Sequence, residues 1–406
     1  MAVVVQKYGG TSVANAERIK AIAARIVKRE KRGDDLVVVV SAMGDTTDEL
    51  VALAQQMTDQ PEAREMDLLL STGEIVTSTL LAMALKHAGQ PAVALSGAQA
   101  GIGTDHRFGR ARILKVNPTR VRKELEAGNV VIVAGFQGLS EEMELTTLGR
   151  GGSDTTAVAL AASLAAERCE IYTDVEGVYT ADPRVCPKAR KLIDASYEEM
   201  LEMATWGARV MHNRAVELGA LYKIPIYVAS SFSDAKGTLI HGGPYMEPTN
   251  KVMGIAHDKD VARITIRGVP DQPGIAASIF QPLGENSISV DTIVQNASVE
   301  RLTDVTFTVS QQDLDGAMGI VKPVAKKIRA SEVLADTHLA KVSIVGSGIT
   351  SGLGYAGRMF KALFDAKINI ELITTSEIRI TCLVDEDKVE EAVRSLHSAF
   401  KLEKAA

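Results

Sequence analysis

Short apolar runs alternate with longer amphipathic stretches from the start of the chain to about residue 240. Continuous apolar runs predict buried parallel strands, and apolar residues recurring every three to four positions predict helices. The pattern predicts strands at 2–6, 36–40, 92–95, 130–134, 169–173 and 226–229. It predicts helices near 19–27, 67–87, 118–126, 153–165 and 208–218. This alternation indicates an α/β fold with a mainly parallel sheet covered on both faces.

The last part of the chain carries a repeat. A segment rich in Gly, Pro and polar residues, 241–260, precedes it and predicts a linker. Copies that begin at Ala262 and Ala340 share the layout strand, Gly-rich turn, helix and two strands. Two such small units predict a paired binding module. We therefore divide the chain into an N-terminal domain, a linker with one strand, and two repeat units, at 1–243, 244–261, 262–338 and 339–406.

Composition narrows the classes of function. The chain has 406 residues, a net charge of −6 and one tryptophan. A negative charge and few aromatic rings argue against nucleic-acid binding. No apolar stretch approaches the about 18 uninterrupted residues of a membrane span, and the short apolar N-terminus does not predict a signal peptide. Three widely spaced cysteines predict a reducing compartment, so we expect a cytoplasmic protein without membrane partners.

Two Gly-rich segments directly follow predicted strands or turns, where parallel sheets bind ligands. In Lys7–Ser12, glycines let backbone N–H groups approach an anion and Lys7 adds a positive charge, although a plain strand-to-helix turn also explains them. Residues 147–156 place Arg150 among three glycines, before Asp154. Arginine is the natural bidentate partner of a carboxylate. Asp154 is suited to hold Mg²⁺ or to orient a lysine, and an N-cap role is the structural alternative.

Two further segments carry weaker signals. The loop after the predicted strand at 169–173 combines residues that suit a nucleotide, namely Asp174, Tyr179, Asp182 and Arg184. Glu74 follows Ser71-Thr72-Gly73, and we place it in the first turn of a helix from 75 to 87. A carboxylate there either complements the helix dipole or binds a substrate ammonium group. The chain has no P-loop motif and no His/Cys ligand spacing, so we predict no metal site built from protein ligands, and a structural role for His212.

Seven motifs stand in a fixed order along the chain. They are KYGGTS (Lys7–Ser12), SAMG (Ser41–Gly44), STGE (Ser71–Glu74), GFQG (Gly135–Gly138), TTLGRGGSDTT (Thr146–Thr156), YTDVEGVYTADPR (Tyr172–Arg184) and GARVMH (Gly207–His212). Together they resemble the aspartokinases of the amino-acid kinase superfamily, from about residue 2 to about residue 400. The resemblance implies a three-layer kinase domain with a mainly parallel central sheet, followed by two ferredoxin-like βαββαβ ACT units.

The resemblance also implies an activity. Such a kinase transfers the γ-phosphate of ATP, with Mg²⁺, to the side-chain carboxylate of L-aspartate. The product, 4-phospho-L-aspartate, opens the biosynthesis of lysine, threonine and methionine, and lysine or threonine inhibits the enzyme. A carboxylate nucleophile has a reference pKa of about 3.9 and is already ionised, so no general base is required. The reaction instead needs neutralisation of charge between the carboxylate and ATP.

Residue roles follow from the resemblance, motif by motif. It implies catalysis by Lys7 and Asp154. It implies substrate binding by Arg25, Thr47, Glu74, Arg150 and Ser153. It implies ATP binding by Lys7, Gly9, Gly10, Ser41, Thr173, Asp174, Tyr179, Asp182, Arg184 and Arg209. In the first ACT unit it implies effector binding by Asp271, Ala276, Ser289 and Gln295.

Assembly and regulation are expected as well. ACT units expose a sheet edge that pairing buries, so we expect a homodimer, or a heterotetramer with a shorter regulatory chain that starts at Met246. The strand near Val252–Ala256 is expected to join the second ACT unit. Relatives often have Asn where this chain has Ser289, and Ser351-Gly352-Leu353-Gly354 replaces their Ser-His-Pro-Gly turn. These departures leave the identity of the effector, and binding by the second unit, open.

Three other readings compete. Glu74 and Arg150 suit any α-amino acid, so another amino-acid kinase of the same fold is the first alternative. Gly346-Ser347-Gly348, with Glu371 further on, imitates the dinucleotide fingerprint of an NAD-dependent dehydrogenase, but too few residues follow for a full domain. A catalytically inactive binding protein is disfavoured by the presence of Lys7, Arg150 and Asp154.

Overall fold

The computed structural model describes residues 2–30, 33–208, 210–242, 251–296, 301–349 and 352–404. Arg209, Met246, Ser351 and most of the predicted linker lie outside these ranges. The chain forms two compact units. The first comprises Met1–Tyr179 and Lys191–Pro248, and the second comprises Thr180–Arg190 and Thr249–Ala406. The segment Thr180–Arg190, which the sequence boundary assigns to the kinase domain, therefore lies in the second unit.

The first unit combines a large sheet, a small sheet and covering helices. Its strands are β1 (Val3–Tyr8), β2 (Asp35–Val40), β3 (Ala92–Leu95), β4 (Ile102–Thr104), β5 (Ile113–Val116), β6 (Val130–Ala134), β7 (Gln137–Leu139), β8 (Leu145–Thr147), β9 (Arg168–Thr173), β10 (Asp194–Ser196), β11 (Ile226–Ser230) and β12 (Thr238–His241). Its helices are α1 (Ala16–Glu30), α2 (Thr46–Met57), α3 (Ala63–His87), α4 (Thr119–Glu126), α5 (Gly152–Leu164), α6 (Tyr197–Thr205) and α7 (Asn213–Tyr222).

The large sheet has the order β10-β12-β11-β9-β1-β2-β6-β3. Its pairs are parallel except β11 with β12, which is antiparallel. Side chains of α1 and α3 pack with alternate residues of β1, β2 and β6 in one apolar cluster. Helix α5 contacts β1, β2 and β9 and packs against α7. The predicted mainly parallel sheet within an α/β fold is therefore confirmed.

Three helices differ from the sequence prediction. The helix predicted at 208–218 instead begins at Asn213, because Gly207 has a φ of 122° and His212 at the N-cap is extended. Glu74 does not lie in a first turn, since α3 begins at Ala63 and Glu74 is three turns inside it. The helix-dipole explanation of Glu74 is therefore wrong. Helix α2 was not predicted, and it contains no buried residue that would produce a clear apolar pattern.

Helix α3 is long and apolar enough to cross a membrane by length and composition alone, the one such helix in the described ranges. Leu81 and Leu85 on one of its faces are fully buried in the apolar cluster beneath the large sheet. Asp67 and Glu74 are also buried. A helix that packs in this way is a core helix of the first unit.

The second unit contains two four-stranded sheets. Its strands are β13 (Gly254–Asp258), β14 (Ala262–Pro270), β15 (Thr292–Gln295), β16 (Leu302–Val309), β17 (Glu332–Asp336), β18 (Leu339–Val345), β19 (Leu372–Ser376) and β20 (Arg379–Asp385). Its helices are α8 (Ile275–Glu285), α9 (Leu314–Lys327), α10 (Tyr355–Asp365) and α11 (Val389–Ala399). The sheet orders are β15-β16-β14-β17 and β13-β18-β20-β19.

The two sheets obtain their fourth strand differently. The first repeat unit is a complete βαββαβ motif that ends in β17. In the second repeat unit the strand beside β18 is β13, which precedes the first repeat unit in the chain and pairs antiparallel with β18. The first repeat unit is thus inserted between β13 and the rest of the second, as the sequence predicted.

Candidate active site

Four neighbouring strands, β9, β1, β2 and β6, end at one edge of the large sheet. The chain continues from β1 into Gly9-Gly10, from β2 into Ser41 and from β6 into Gly135, and β9 ends at Thr173. The strand connections reverse direction at β1, which is where open α/β sheets bind their ligands. Motifs that are far apart in sequence are therefore brought to one edge.

Lys7 and Asp154 make the central contact at this edge. Nζ of Lys7 lies 2.6 Å from Oδ1 of Asp154, and the two side chains are 12% and 10% exposed. Asp154 lies in the first turn of α5, where Gly151 is the N-cap and no side chain caps the helix. Asp154 therefore orients the lysine rather than capping the helix.

Gly10 and Gly135 let the surrounding segments approach closely. A Cβ at Gly10 would lie 3.0 Å from the carbonyl oxygen of Ala42, and a Cβ at Gly135 would lie 2.9 Å from the Ser153 side chain. The amide of Gly44 donates to the carbonyl oxygen of Gly10 at 3.1 Å. The KYGG and SAMG motifs thus pack directly against each other, and Ser153 of α5 lies beside the end of β6.

Arg150 occupies a loop shaped by glycine. Its neighbours Gly149 and Gly151 have φ values of 74° and 68°, in the left-handed region. Arg214 donates to the carbonyl oxygen of the residue before Gly149 at 2.7 Å. His212 packs against Gly151, where a Cβ would lie only 2.3 Å from that of His212. These contacts fix the loop, while the Arg150 side chain is exposed.

Asp67 and Glu74 are buried carboxylates two helical turns apart on α3. Asp67 accepts hydrogen bonds from the amide of Gly109 at 2.9 Å, and from the amide and hydroxyl of Thr147 at 2.7 Å each. Oε1 of Glu74 accepts from the amide of Ala42 at 3.1 Å, but Oε2 has no hydrogen-bond partner in the described part of the chain. Burial raises the pKa of Glu74 to about 7. A buried oxygen without a partner indicates a place for a donor from a ligand.

The predicted nucleotide residues at the end of β9 lie in the first unit. The hydroxyl of Thr173 donates to Oδ1 of Asp174 at 3.0 Å. The carbonyl oxygen of Thr173 accepts from the amide of Ser231 at 2.9 Å. Tyr179 forms an isolated antiparallel bridge with Lys191. Ser231 was not predicted, because the fold alone brings the end of β11 beside β9.

Asp182 and Arg184 lie in the second unit, and Arg209 lies outside the described residues. The guanidinium of Arg184 donates to both carboxylate oxygens of Asp182, at 3.0 and 2.7 Å. Hydrogen bonding from Arg184 lowers the pKa of Asp182. The structure thus brings these two residues together as a pair, on a different unit from Lys7.

Two predicted substrate residues occupy different surroundings. The guanidinium of Arg25 lies 4.4 Å from the centre of the Tyr172 ring and donates to the carbonyl oxygen of Ser230 at 3.2 Å. It thereby ties α1 to the ends of β9 and β11. Thr47 lies in the first turn of α2, the helix that packs against α3. The substrate roles of both residues stay predictions.

The predicted effector residues are exposed and lie on the first ACT unit. Asp271 follows β14, Ala276 is in the first turn of α8, Ser289 precedes β15 and Gln295 ends it. Strands β14 and β15 both pair antiparallel with β16, so they run in the same direction. Asp271 and Gln295 therefore lie at the same end of the sheet.

Binding of a metal ion at the active site would require the phosphates of the nucleotide as ligands. No group of three or more His, Cys, Asp or Glu among residues 2–30, 33–208, 210–242, 251–296, 301–349 and 352–404 could hold a metal. Mg²⁺ is usually bound by one or two carboxylates together with substrate phosphates. The exposed Asp174 at the end of β9 fits this role, whereas Asp154 is paired with Lys7.

The NAD-dependent alternative conflicts with the fold. Gly346-Ser347-Gly348 follows β18, which pairs antiparallel with both β13 and β20. A dinucleotide fingerprint instead joins a strand of a parallel sheet to a helix that begins at once. Helix α10 begins only at Tyr355. The dehydrogenase reading is therefore wrong.

Family models and known proteins agree with this architecture. The model of the amino acid kinase family matches residues 2–230, and ACT domain models match 263–325 and 342–400. The fold, the site and these matches define an amino acid kinase with two ACT domains. An aspartokinase of Pseudomonas aeruginosa is 50% identical and aligns over 100% of this chain and 99% of its own.

Solved structures narrow the family further. Escherichia coli aspartokinase III in complex with aspartate and ADP is 27% identical, with a TM-score of 0.83 over 98% of this chain and 99% of its own. The complex of that enzyme with lysine and aspartate gives a TM-score of 0.73 at the same identity and the same coverage. The chain belongs to the aspartokinase family of ATP-dependent kinases.

Glu74 yields a stability prediction. At pH 8, Glu74→Gln should raise the free energy of unfolding by about 1 kcal/mol or more, because it removes a buried charge with one hydrogen-bond partner. The folded-state pKa of about 7 lies above the ordinary value of 4.5, so the wild-type protein loses stability as the pH rises through that interval. The gain from glutamine should therefore shrink between pH 8 and pH 5.

Urea unfolding at both pH values measures this difference. Asp67→Asn is the matched control, since it changes an equally buried carboxylate whose hydrogen bonds are complete. It should lower the free energy of unfolding by about 1–3 kcal/mol at both pH values. Equal destabilisation by the two variants would show that Glu74 has a structural role only.

Proposed function

We propose that this chain transfers the γ-phosphate of ATP to the side-chain carboxylate of L-aspartate and forms 4-phospho-L-aspartate. The half-satisfied carboxylate of Glu74, beside the SAMG segment, is the observation that carries the proposal. It offers a partner for the substrate ammonium group, and the exposed Arg150 offers a bidentate partner for the α-carboxylate. The similarity to an aspartokinase crystallised with aspartate and ADP supports these ligands.

The chemistry requires charge stabilisation more than proton transfer. The aspartate carboxylate, with a reference pKa of about 3.9, attacks as an anion and needs no base. Lys7, held by Asp154 at 2.6 Å, stabilises the negative charge that develops on the transferred phosphoryl group. Asp174 would hold Mg²⁺ together with the nucleotide phosphates, and the metal would neutralise further charge there. The reaction is the first step of lysine, threonine and methionine biosynthesis, and the proposal includes a cytoplasmic location.

A second candidate is another amino-acid kinase of the same fold. Glu74 and Arg150 would contact only the ammonium and α-carboxylate groups, which all α-amino acids share. Purified protein should therefore be assayed for ADP release with aspartate, glutamate and acetylglutamate in parallel. We expect turnover with aspartate alone, and preferred turnover of either other substrate would reject aspartate as the acceptor.

The catalytic role of Lys7 and the substrate-binding role of Arg150 predict different kinetic effects. Lys7→Ala should lower kcat by about 10²-fold or more, because it removes stabilisation made in the transition state. Arg150→Ala should raise KM for aspartate by about tenfold and leave KM for ATP nearly unchanged, because it removes a carboxylate partner. Steady-state kinetics with each substrate varied measures both. Equal effects of Arg150→Ala on the two KM values would indicate that Arg150 contacts the phosphates of ATP instead.

Regulation is proposed for the first ACT unit. Lysine or threonine would bind at the end of the sheet where Asp271 and Gln295 lie, with Ala276 and Ser289, and favour an inactive arrangement. The proposal includes a homodimer, or a heterotetramer with a shorter regulatory chain that starts at Met246. Solved relatives include an aspartokinase bound to lysine and aspartate, which supports an amino-acid effector.

Asp271→Ala tests this proposal. It should raise the lysine or threonine concentration needed for half-inhibition by about tenfold, because an ionic partner of the effector ammonium is lost. The kcat without effector should not change, since Asp271 lies in the second unit. Inhibition assays and native mass spectrometry are the measurements. A monomeric protein whose activity neither lysine nor threonine inhibits would reject the proposed regulation and the proposed assembly together.

A further inference from the structure

The segment Thr180–Arg190 is part of the kinase sequence but not of the kinase unit. The amino acid kinase model spans residues 2–230, yet this segment belongs to the second unit. The flanking residues Tyr179 and Lys191 pair with each other in the first unit. Within the segment, the amide of Thr180 donates to the carbonyl oxygen of Arg190 at 2.9 Å. The segment is thus a closed loop that leaves the kinase unit and returns to it, and we call it the excursion loop.

The core of the second ACT unit holds the excursion loop. Ala181 and Cys186 are 2% and 3% exposed and belong to the same apolar cluster as the buried face of α11. Val185 and Ala189 pack against that cluster. Arg394 of α11 donates to the carbonyl oxygen of Val185 at 3.2 Å. A loop buried in this way is held more firmly than a surface turn, because its apolar side chains would have to leave the core for the loop to move.

Thr180 anchors the first residue of the loop. It is fully buried, and its carbonyl oxygen accepts from the amide of Ile255 in β13 at 2.7 Å. Its hydroxyl oxygen accepts from the amide of Arg190 at 2.9 Å and lies 2.9 Å from Nε2 of His397, a residue of α11 that is 1% exposed. Loss of the hydroxyl would leave the amide of Arg190 and the imidazole of His397 buried without this partner, which is costly.

We propose that Thr180 and His397 are positioning residues, which hold Asp182 and Arg184 in place for nucleotide binding. They fix the start of the excursion loop, which carries Asp182 and Arg184. The backbone amide, Nε and Nη2 of Arg184 all donate to the Asp182 carboxylate. The inference rests on the proposed kinase function and on the ATP-binding role that the resemblance implies for Asp182 and Arg184.

Thr180→Val tests the inference, because valine keeps the shape of threonine and replaces only the hydroxyl, with a methyl group. We expect the Kd for ADP and the KM for ATP to rise by about 5- to 10-fold, as for the loss of one buried hydrogen bond. The KM for aspartate should change less than about twofold, because its proposed partners lie in the first unit. Thr180→Ser should restore the nucleotide affinity. His397→Leu should reproduce the effect of Thr180→Val, and His397→Gln should reproduce it less strongly.

Thr381→Val is the matched control. The Thr381 hydroxyl is buried in the same ACT unit, bonds to the Ser343 hydroxyl at 2.6 Å and accepts from the guanidinium of Arg379. Its neighbours Ile380 and Cys382 belong to the apolar cluster that holds the excursion loop, so Thr381 lies on the opposite face of β20. Loss of the Thr381 hydroxyl should lower the melting temperature as Thr180→Val does, yet leave the Kd for ADP unchanged. If Thr381→Val weakens nucleotide binding equally, or if Thr180→Val raises both KM values alike, Thr180 is structural and the inference is wrong.

Asp182→Asn and Arg184→Ala separate this inference from the proposed function on which it rests. If neither variant weakens ADP binding, the nucleotide role of the pair fails and the inference fails with it. If both weaken binding while Thr180→Val does not, only the positioning role is rejected. Isothermal titration of ADP into the full-length protein gives these Kd values without depending on the identity of the phosphate acceptor.

Discussion

The ion pair between Lys7 and Asp154 is the contact on which the kinase site depends. It joins the end of β1 to the first turn of α5, and both side chains are nearly buried. Removing two charges from water is costly, and the cost is offset only when the geometry is good and both charges are present. The pair therefore makes the position of the lysine dependent on α5. The glycines at 10 and 135 allow the close packing that brings the two elements together.

Helix α3 shows how one element can serve both stability and function. Asp67 has every hydrogen bond that its site offers and stabilises the segments before Arg150. Glu74, two turns further on, keeps one buried oxygen without a partner and has a pKa raised to about 7. A site residue of this kind is tolerated at a cost to stability because the ligand supplies what the protein lacks. The comparison of the two carboxylates distinguishes the structural role of Asp67 from the ligand-binding role that we propose for Glu74.

Local sequence patterns predicted what depends on neighbours in the chain. The apolar runs identified the strands of the large sheet, and the glycines after β1 and before α5 identified its ligand-binding edge. The start of α3 was misplaced, because Ala63-Arg64-Glu65-Met66 contains two charged residues and is too short to show an apolar periodicity. Asp67 was missed although its spacing of seven residues from Glu74 placed both on one helix face. The contact of Thr180 with His397 joins positions 217 residues apart, so no local pattern could reveal it.

The insertion of the first ACT unit between β13 and β18 limits where a separate regulatory chain could begin. A chain that started at Met246 would include β13 and could complete both sheets, whereas one that started after Asp258 would leave β18 with a bare edge. Such a short chain would nevertheless lack residues 180–190, so the apolar residues of the cluster that Ala181 and Cys186 cover would be exposed to solvent. Two chains read from the same codons would then differ in surface as well as in length. In a mixed assembly, this exposed apolar surface would be present on the short subunits and covered on the long ones.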